Sequence, residues 1–294
     1  MAQLVIVRVL IIGCGYVGIA AGSELARLGH QVTGLRRQPG ASPALAAAAI
    51  RQLTGDVTDE ASLAALAPDF DWVVNCVAST SSGGAEEYRR VYLEGTRNVC
   101  RWLARAGIRK YVYTSSTGVY AQNDGSWVDE TCPAEPASPT GKVLAETEEE
   151  LMRAHRETGF PAVVLRVAGI YGPGRGYYLR QLQSGEARIE GNGERFVNMV
   201  HRDDVAGAII AALERGKPGT VYNVCDEEPV SQAELYGWLA KRLGAPVPPS
   251  VPASAVGSGR RGVTNKRITS RRLQEQLGYR FRYPTYREGY GQTS

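Results

Sequence analysis

Three glycines are the first residues whose spacing implies chemistry: Gly13, Gly15 and Gly18, within Gly13-Cys14-Gly15-Tyr16-Val17-Gly18. They follow Val9-Leu10-Ile11-Ile12, a short apolar run of the kind that forms a strand buried on both faces. They open a helical pattern that runs from Tyr16 to Leu28 and stops at Gly29. In such a unit the first glycine permits a tight turn. The second lets backbone meet a pyrophosphate, and the third lets helix pack on strand. The helix N-terminus brings free N–H groups and a positive dipole end to the phosphates. Gly13, Gly15, Tyr16, Val17 and Gly18 are therefore expected against a dinucleotide. The end of the next strand carries Arg36-Arg37, where NAD-binding chains tend to place an acid against the ribose hydroxyls. An acid would repel a 2′-phosphate and an arginine fork can grip one, so the expected cofactor is NADP.

The elements that must hold this turn alternate regularly. Gln31 to Leu35 reads as the second strand, Ala41 to Ile50 as a helix, and Arg51 to Asp56 as the third strand with its exit. Asp59 to Leu66 reads as a short helix with Thr58 as its N-cap. Trp72 to Val77 is the fourth expected strand, Glu86 to Ala106 a long helix closed by Gly107, and Lys110 to Thr114 the fifth strand. Thr140 to Thr158 is helical and Ala162 to Val167 the sixth strand. Strands alternating with helices imply an α/β fold, a doubly wound parallel sheet of Rossmann type. The alternation weakens after Tyr171, so the expected division is a dinucleotide-binding domain over 1–170 and a smaller C-terminal substrate lobe over 171–294, partly interwoven with it.

Composition narrows the classes. The chain has 294 residues, 43% hydrophobic and 22% charged, enough for a large core without disulfides or metal. A net charge of +4 is too weak to argue for nucleic acid. The basic cluster Arg260, Arg261, Lys266, Arg267, Arg271 and Arg272 is either a solvated face or a wall facing an anionic ligand. Five cysteines without a CxxC pair read as reduced apolar fillers, which leads to a cytoplasmic expectation. No apolar stretch is long enough for a membrane span. No HExxH, Gly-x-Ser-x-Gly or Walker loop occurs, so no metal site, hydrolase triad or P-loop is expected.

An ordered set of further segments resembles the short-chain dehydrogenase/reductase superfamily, in an extended or atypical form of the NAD-dependent epimerase/dehydratase type. Gly55-Asp56-Val57 resembles the segment near the adenine, and Val74-Asn75-Cys76-Val77-Ala78 the floor of the fourth strand beside the cofactor. Glu94-Gly95-Thr96-Arg97-Asn98 resembles the following helix, and Thr114-Ser115-Ser116-Thr117-Gly118-Val119-Tyr120 the catalytic Ser/Thr strand. Arg166 with Tyr171-Gly172-Pro173-Gly174-Arg175, then Val200-His201-Arg202-Asp203-Asp204-Val205 and Tyr222-Asn223-Val224, resemble later landmarks. The resemblance adds Asp56, Val57, Cys76, Val77 and Ala78 to the expected cofactor contacts. It implies an oxidoreductase or epimerase-like enzyme acting on a sugar nucleotide or polyol, and a homodimer face to which Leu93, Val99 and Leu103 could contribute, although they would serve equally well as core.

The departures bear on catalysis. The family's Tyr-x-x-x-Lys pair supplies an acid or base and the lysine that tunes it. Here Thr140 stands at the tyrosine position, Leu144 at the lysine position, and Tyr92 at that of an asparagine in the preceding helix. Lys142, two residues after Thr140, points elsewhere on a regular helix. Ser116, Tyr120, Thr140, Lys142 and His201 remain as candidates around the cleft. Ser116 aligns with the catalytic Ser/Thr or simply ends a strand. Tyr120 is a relocated acid or a pocket wall. His201 is structural, substrate-facing or catalytic, ahead of a helix cap expected at Asp203 or Asp204. Ser116, Tyr120 and Thr140 are the expected catalytic set. The other reading is a non-catalytic NADP-binding redox sensor or scaffold.

Overall fold

The apolar runs pair as one parallel sheet of seven strands. Their order is Thr220–Val224, Ala162–Val167, Lys110–Ser116, Trp72–Asn75, Arg8–Ile12, Gln31–Arg36 and Arg51–Thr54. This is a computed structural model, and it describes residues 6–79, 84–252 and 264–291. Alternate residues of each strand feed opposite faces. Val9 and Ile11 join one apolar core and Leu10 and Ile12 the other, each at most 1% exposed. Helices cover both faces, as a parallel sheet requires. Among the described residues, no helix is long and apolar enough to cross a membrane. The strand order reverses between Arg8–Ile12 and Trp72–Asn75, which opens a crevice at their carboxyl ends.

A third core, including Tyr171, Leu182, Val197, Met199, Leu235 and Tyr290, holds the smaller lobe. The chain crosses between the two parts more than once. Thr220–Val224 returns to the edge of the main sheet, and Asn123–Val128 leaves it to pair with Asn265–Ile268.

Several local expectations need correction. The helix expected over 41–50 spans only Pro43–Ala47. Asp59, not Thr58, caps Glu60–Ala64, because the Thr58 hydroxyl is engaged by Asp56 Oδ1 at 2.9 Å while the Asp59 carboxylate accepts from Ala61 N–H. The long helix expected from Glu86 to Ala106 is interrupted: Ala85–Tyr88 passes into a π-helical stretch, Arg89–Glu94, before α-helix resumes at Gly95–Leu103. Leu93, Val99 and Leu103 are at most 1% exposed, so of their two expected roles they take that of core. His201 itself caps Arg202–Arg215, its Nδ1 accepting from Asp203 N–H.

Beneath the crevice lies a buried polar network. Arg166 on Ala162–Val167 donates to Glu148 Oε2 through Nε at 2.9 Å and Nη2 at 2.7 Å. Glu148 belongs to the helix Pro139–Thr158 and also accepts from Ser115 Oγ. Arg166 Nη1 donates to the Tyr120 hydroxyl at 2.8 Å, and Tyr120 donates to Asn223 Oδ1 at 2.8 Å. The two charged side chains are only 8% and 5% exposed. Burial pushes the Glu148 carboxyl up, against the pull of Arg166. Removing one partner of such a pair leaves an uncompensated buried charge and costs about 3–5 kcal/mol. Arg166→Met is therefore expected to lower Tm by on the order of 10 °C, and Arg166→Met/Glu148→Leu to recover much of the loss. Thermal melts check both; a single variant as stable as the parent contradicts the account.

Candidate functional site

The glycine turn has the geometry its spacing implied. Gly13 has φ +90°, and a Cβ there would lie 2.7 Å from the Cys76 backbone. A Cβ on Gly18 would lie 2.4 Å from Gly13 O, so this glycine serves the contact of helix on strand. A Cβ on Gly15 would meet nothing within 4 Å, because this residue faces the crevice. Cys76 Sγ donates to Gly13 O, and burial pushes the Cys14 thiol up to about 12, which suits packing rather than reactivity.

The crevice is one continuous cleft of about 1330 Å³. Pockets for small ligands usually span about 300–1,000 Å³, so there is room for a dinucleotide and a second molecule. Gly13, Gly15, Tyr16, Val17, Arg36, Arg37, Asp56, Val57, Cys76, Val77 and Ala78 line it. Of the expected cofactor contacts only Gly18 lies behind the wall. Arg36 and Arg37 stand at the end of Gln31–Arg36, and among the described residues neither pairs with a carboxylate. Asp56 is turned to its own loop, accepting from Thr58 N–H at 2.9 Å. These residues fit a dinucleotide: an open glycine at the turn, a close-packed cradle behind it and, at the end of Gln31–Arg36, guanidinium groups that pair with no carboxylate among the described residues.

Ser116 and Thr140 line the cleft further along, with Tyr88, Tyr92 and Leu144. Ser116 ends Lys110–Ser116, its Oγ accepting from Gly118 N–H, and Thr140 sits in the first turn of Pro139–Thr158, capped by Ser138. Tyr120 does not line the cleft: it is 0% exposed, its hydroxyl is held by Arg166 and Asn223, and burial pushes it up to about 12. Lys142 is exposed and outside the cleft. His201 is buried between the Tyr171 and Tyr283 rings, and desolvation holds it below its usual range.

Two residues carry more of this site than their sequence context suggested. Tyr92 lies in the π-helical stretch, and its hydroxyl accepts from Ser79 N–H at 3.2 Å beside Ala78. A departure from regular helix at a ligand cleft is a frequent functional device. The signal was the tyrosine at a position where the resembling family has asparagine. The second is Lys266. Arg260 and Arg261 lie outside the described residues. Arg267 stacks between Trp127 and Phe196, Arg271 pairs with Glu275, and Arg272 stands 3.6 Å from Glu130. Of the basic cluster's described members only Lys266 lines the cleft. Burial lowers its ammonium from 10.5 to about 8.

Gly15→Val should abolish dinucleotide binding in calorimetry while leaving the thermal melt nearly unchanged, whereas Gly18→Val should lower stability first. Lys266 gives a pH dependence. Between pH 8 and 10.5 the unfolded chain holds a proton that the folded chain has released, so stability gains a contribution as pH rises through that window. Lys266→Met should remove this rise in denaturant titrations at stepped pH. A wild-type curve matching the variant's would refute the buried ammonium.

The NAD dependent epimerase/dehydratase family profile matches residues 9–225. The chain is 32% identical to the protein YeeZ of Escherichia coli K12 over 282 residues, covering 94% of this chain and 96% of that protein. It is 29% identical to a 3-diazoavenalumate denitrifying reductase of a Streptomyces species, covering 97% and 99%. Among solved structures, a conserved protein of unknown function from Silicibacter pomeroyi superposes with a TM-score of 0.80 at 30% identity, covering 97% of each chain. The dTDP-glucose 4,6-dehydratase DesIV of Streptomyces venezuelae, solved with NAD bound, shares the fold with a TM-score of 0.83 at 24% identity, covering 97% and 95%. With its glycine turn, its seven-stranded parallel sheet and a cleft along the carboxyl ends of the strands, this chain belongs to the NAD-dependent epimerase/dehydratase family.

Proposed function

We propose that this chain is an NADPH-dependent reductase of a small carbonyl-type substrate. The observation that carries the reading is the continuity of the cleft, which runs from Arg36 and Arg37 past Gly15 to Ser116 and Tyr92, and on to the lobe residues Phe196 and Lys266. Bound there, the cofactor supplies hydride. Arg36 and Arg37 hold its 2′-phosphate, and the turn at Gly13, Gly15, Tyr16 and Val17 receives the pyrophosphate. Asp56, Val57, Cys76, Val77 and Ala78 wall the rest of its path. Two relatives that align along most of the chain are reductases by name: besides the denitrifying reductase, a 2-alkyl-3-oxoalkanoate reductase of Stenotrophomonas maltophilia is 28% identical over 80% of this chain and 74% of that protein. A sugar nucleotide or polyol is the substrate expected from the wider family resemblance, and it belongs in the same assay panel.

Proton delivery must differ from the Tyr-x-x-x-Lys scheme. Thr140 has no acidity near neutral pH, Leu144 has no charge, and Tyr120 is out of reach. Our candidate donor is the Tyr92 hydroxyl, with Ser116 and Thr140 orienting the substrate oxygen. The phenol would give its proton to the developing alkoxide and regain one from solvent.

Charge-assisted contacts are worth roughly 1.5 to 3 kcal/mol, so NADPH should bind about tenfold or more tightly than NADH in calorimetry. Arg36→Asp should erase most of this preference; equal binding of the two cofactors by the wild type would sink it. On an active carbonyl substrate, Tyr92→Phe should lower kcat by about 10²- to 10⁴-fold, with Tyr120→Phe acting mainly on stability. Tight NADPH binding without turnover on carbonyl, polyol and sugar-nucleotide panels would favour a sensor or scaffold.

A further inference from the structure

Lys266 stands on Asn265–Ile268, the strand paired with Asn123–Val128, and is only 4% exposed although it lines the cleft. Its Nζ donates to Tyr120 O at 2.8 Å. An ammonium has three donors, and this is the one hydrogen bond that Nζ makes among the described residues. No described carboxylate offsets its charge. The other cations in the lobe half of the cleft differ. Arg195 is paired with Glu190 at 3.1 Å, and Arg175 and Arg180 are exposed at the rim. Burying an uncompensated charge is costly, and a ligand that brings the opposite charge relieves the cost.

The neighbourhood limits what that ligand can be. Phe196, Tyr178 and Tyr290 line the same part of the cleft, and Phe196 is braced from behind by the Arg267 guanidinium, 4.9 Å from its ring centre. A single compact ammonium is a point charge that offsets one anionic group, and aromatic rings match a flat apolar body, which together suit a singly charged acid. A nucleoside diphosphate would present two charged phosphates to a wall whose half-buried arginine, Arg195, is already paired with Glu190.

Resting on the reductase reading, we propose that Lys266 is a specificity-determining residue that binds the carboxylate of an aromatic or conjugated organic acid, whose flat body lies against Phe196, Tyr178 and Tyr290.

The test is calorimetry on the NADP-saturated protein with cinnamate and methyl cinnamate, two unreactive probes that differ in the charged group. Wild type should bind the acid at least about tenfold more tightly than the ester, as expected for a hydrogen bond to a charged group. Lys266→Met should weaken cinnamate to the level of the ester while leaving ester and NADP affinities unchanged, and Lys266→Arg should keep part of the preference. Equal affinity of wild type for acid and ester overturns the proposal without reference to any variant. So does a preference that survives Lys266→Met, or UDP-glucose binding more tightly than cinnamate with the same dependence on Lys266. Because binding is read without turnover, failure here is distinct from failure of the reductase reading, which shows as absence of NADPH consumption on every carbonyl compound.

Discussion

The buried pair of Arg166 and Glu148 decides how the cleft is built. It joins Ala162–Val167 to Pro139–Thr158, and through Ser115, Tyr120 and Asn223 it reaches Lys110–Ser116 and Thr220–Val224. Those are the elements that present Ser116 and Thr140 to the cleft. Ridges and grooves alone would hold a helix on a sheet with some freedom to slide. A two-pronged guanidinium contact in a dry interior fixes the register, because any slip strands a charge. The same network explains why Tyr120 is unavailable for chemistry: its hydroxyl already donates to Asn223 and accepts from Arg166.

Much of the fold was legible in the sequence because it depends on local signals. Apolar runs rich in β-branched residues, such as Val9 to Ile12 and Ala162 to Leu165, leave little choice but buried parallel strands. The Gly13-x-Gly15-x-x-Gly18 spacing marks a turn whose backbone demands are set by sterics, and Gly13 and Gly18 meet them with near contacts to Cys76 and Gly13. What was not legible depends on partners far away in the chain. Tyr120 and Ser116 belong to the same strand exit, yet one faces the cleft and the other an arginine 46 residues further on. Nothing local marks the π-helical stretch around Tyr92, and the alanine-rich segment keeps helix only over Pro43–Ala47, where Leu45 is buried. Lys266 read as one of six basic residues; the alternation along Asn265–Ile268 buries it, while Arg267 next to it on the same strand lies against Trp127 and Phe196, and Arg271 falls on the helix that follows.

Among the described residues, the cleft carries cations without a carboxylate partner at Arg36 and Arg37, at the exposed Arg175 and Arg180, and at the buried Lys266 in the lobe. Between them the walls are hydroxyl-bearing and aromatic. A fold of this kind hosts many activities, so the distribution of charge along the cleft says more about the ligands than the sheet does. A guanidinium fork can grip a phosphate with two parallel hydrogen bonds, whereas a lone ammonium acts as a compact point charge on one anionic group.

The most direct measurement is a crystal structure of the protein grown with NADPH. The 2′-phosphate should lie within hydrogen-bonding distance of Arg36 or Arg37, the pyrophosphate against Gly15, and the nicotinamide ring facing Ser116 and Tyr92. A dinucleotide seated with its adenosine ribose away from both arginines, or with the nicotinamide out of reach of Ser116 and Tyr92, would contradict it.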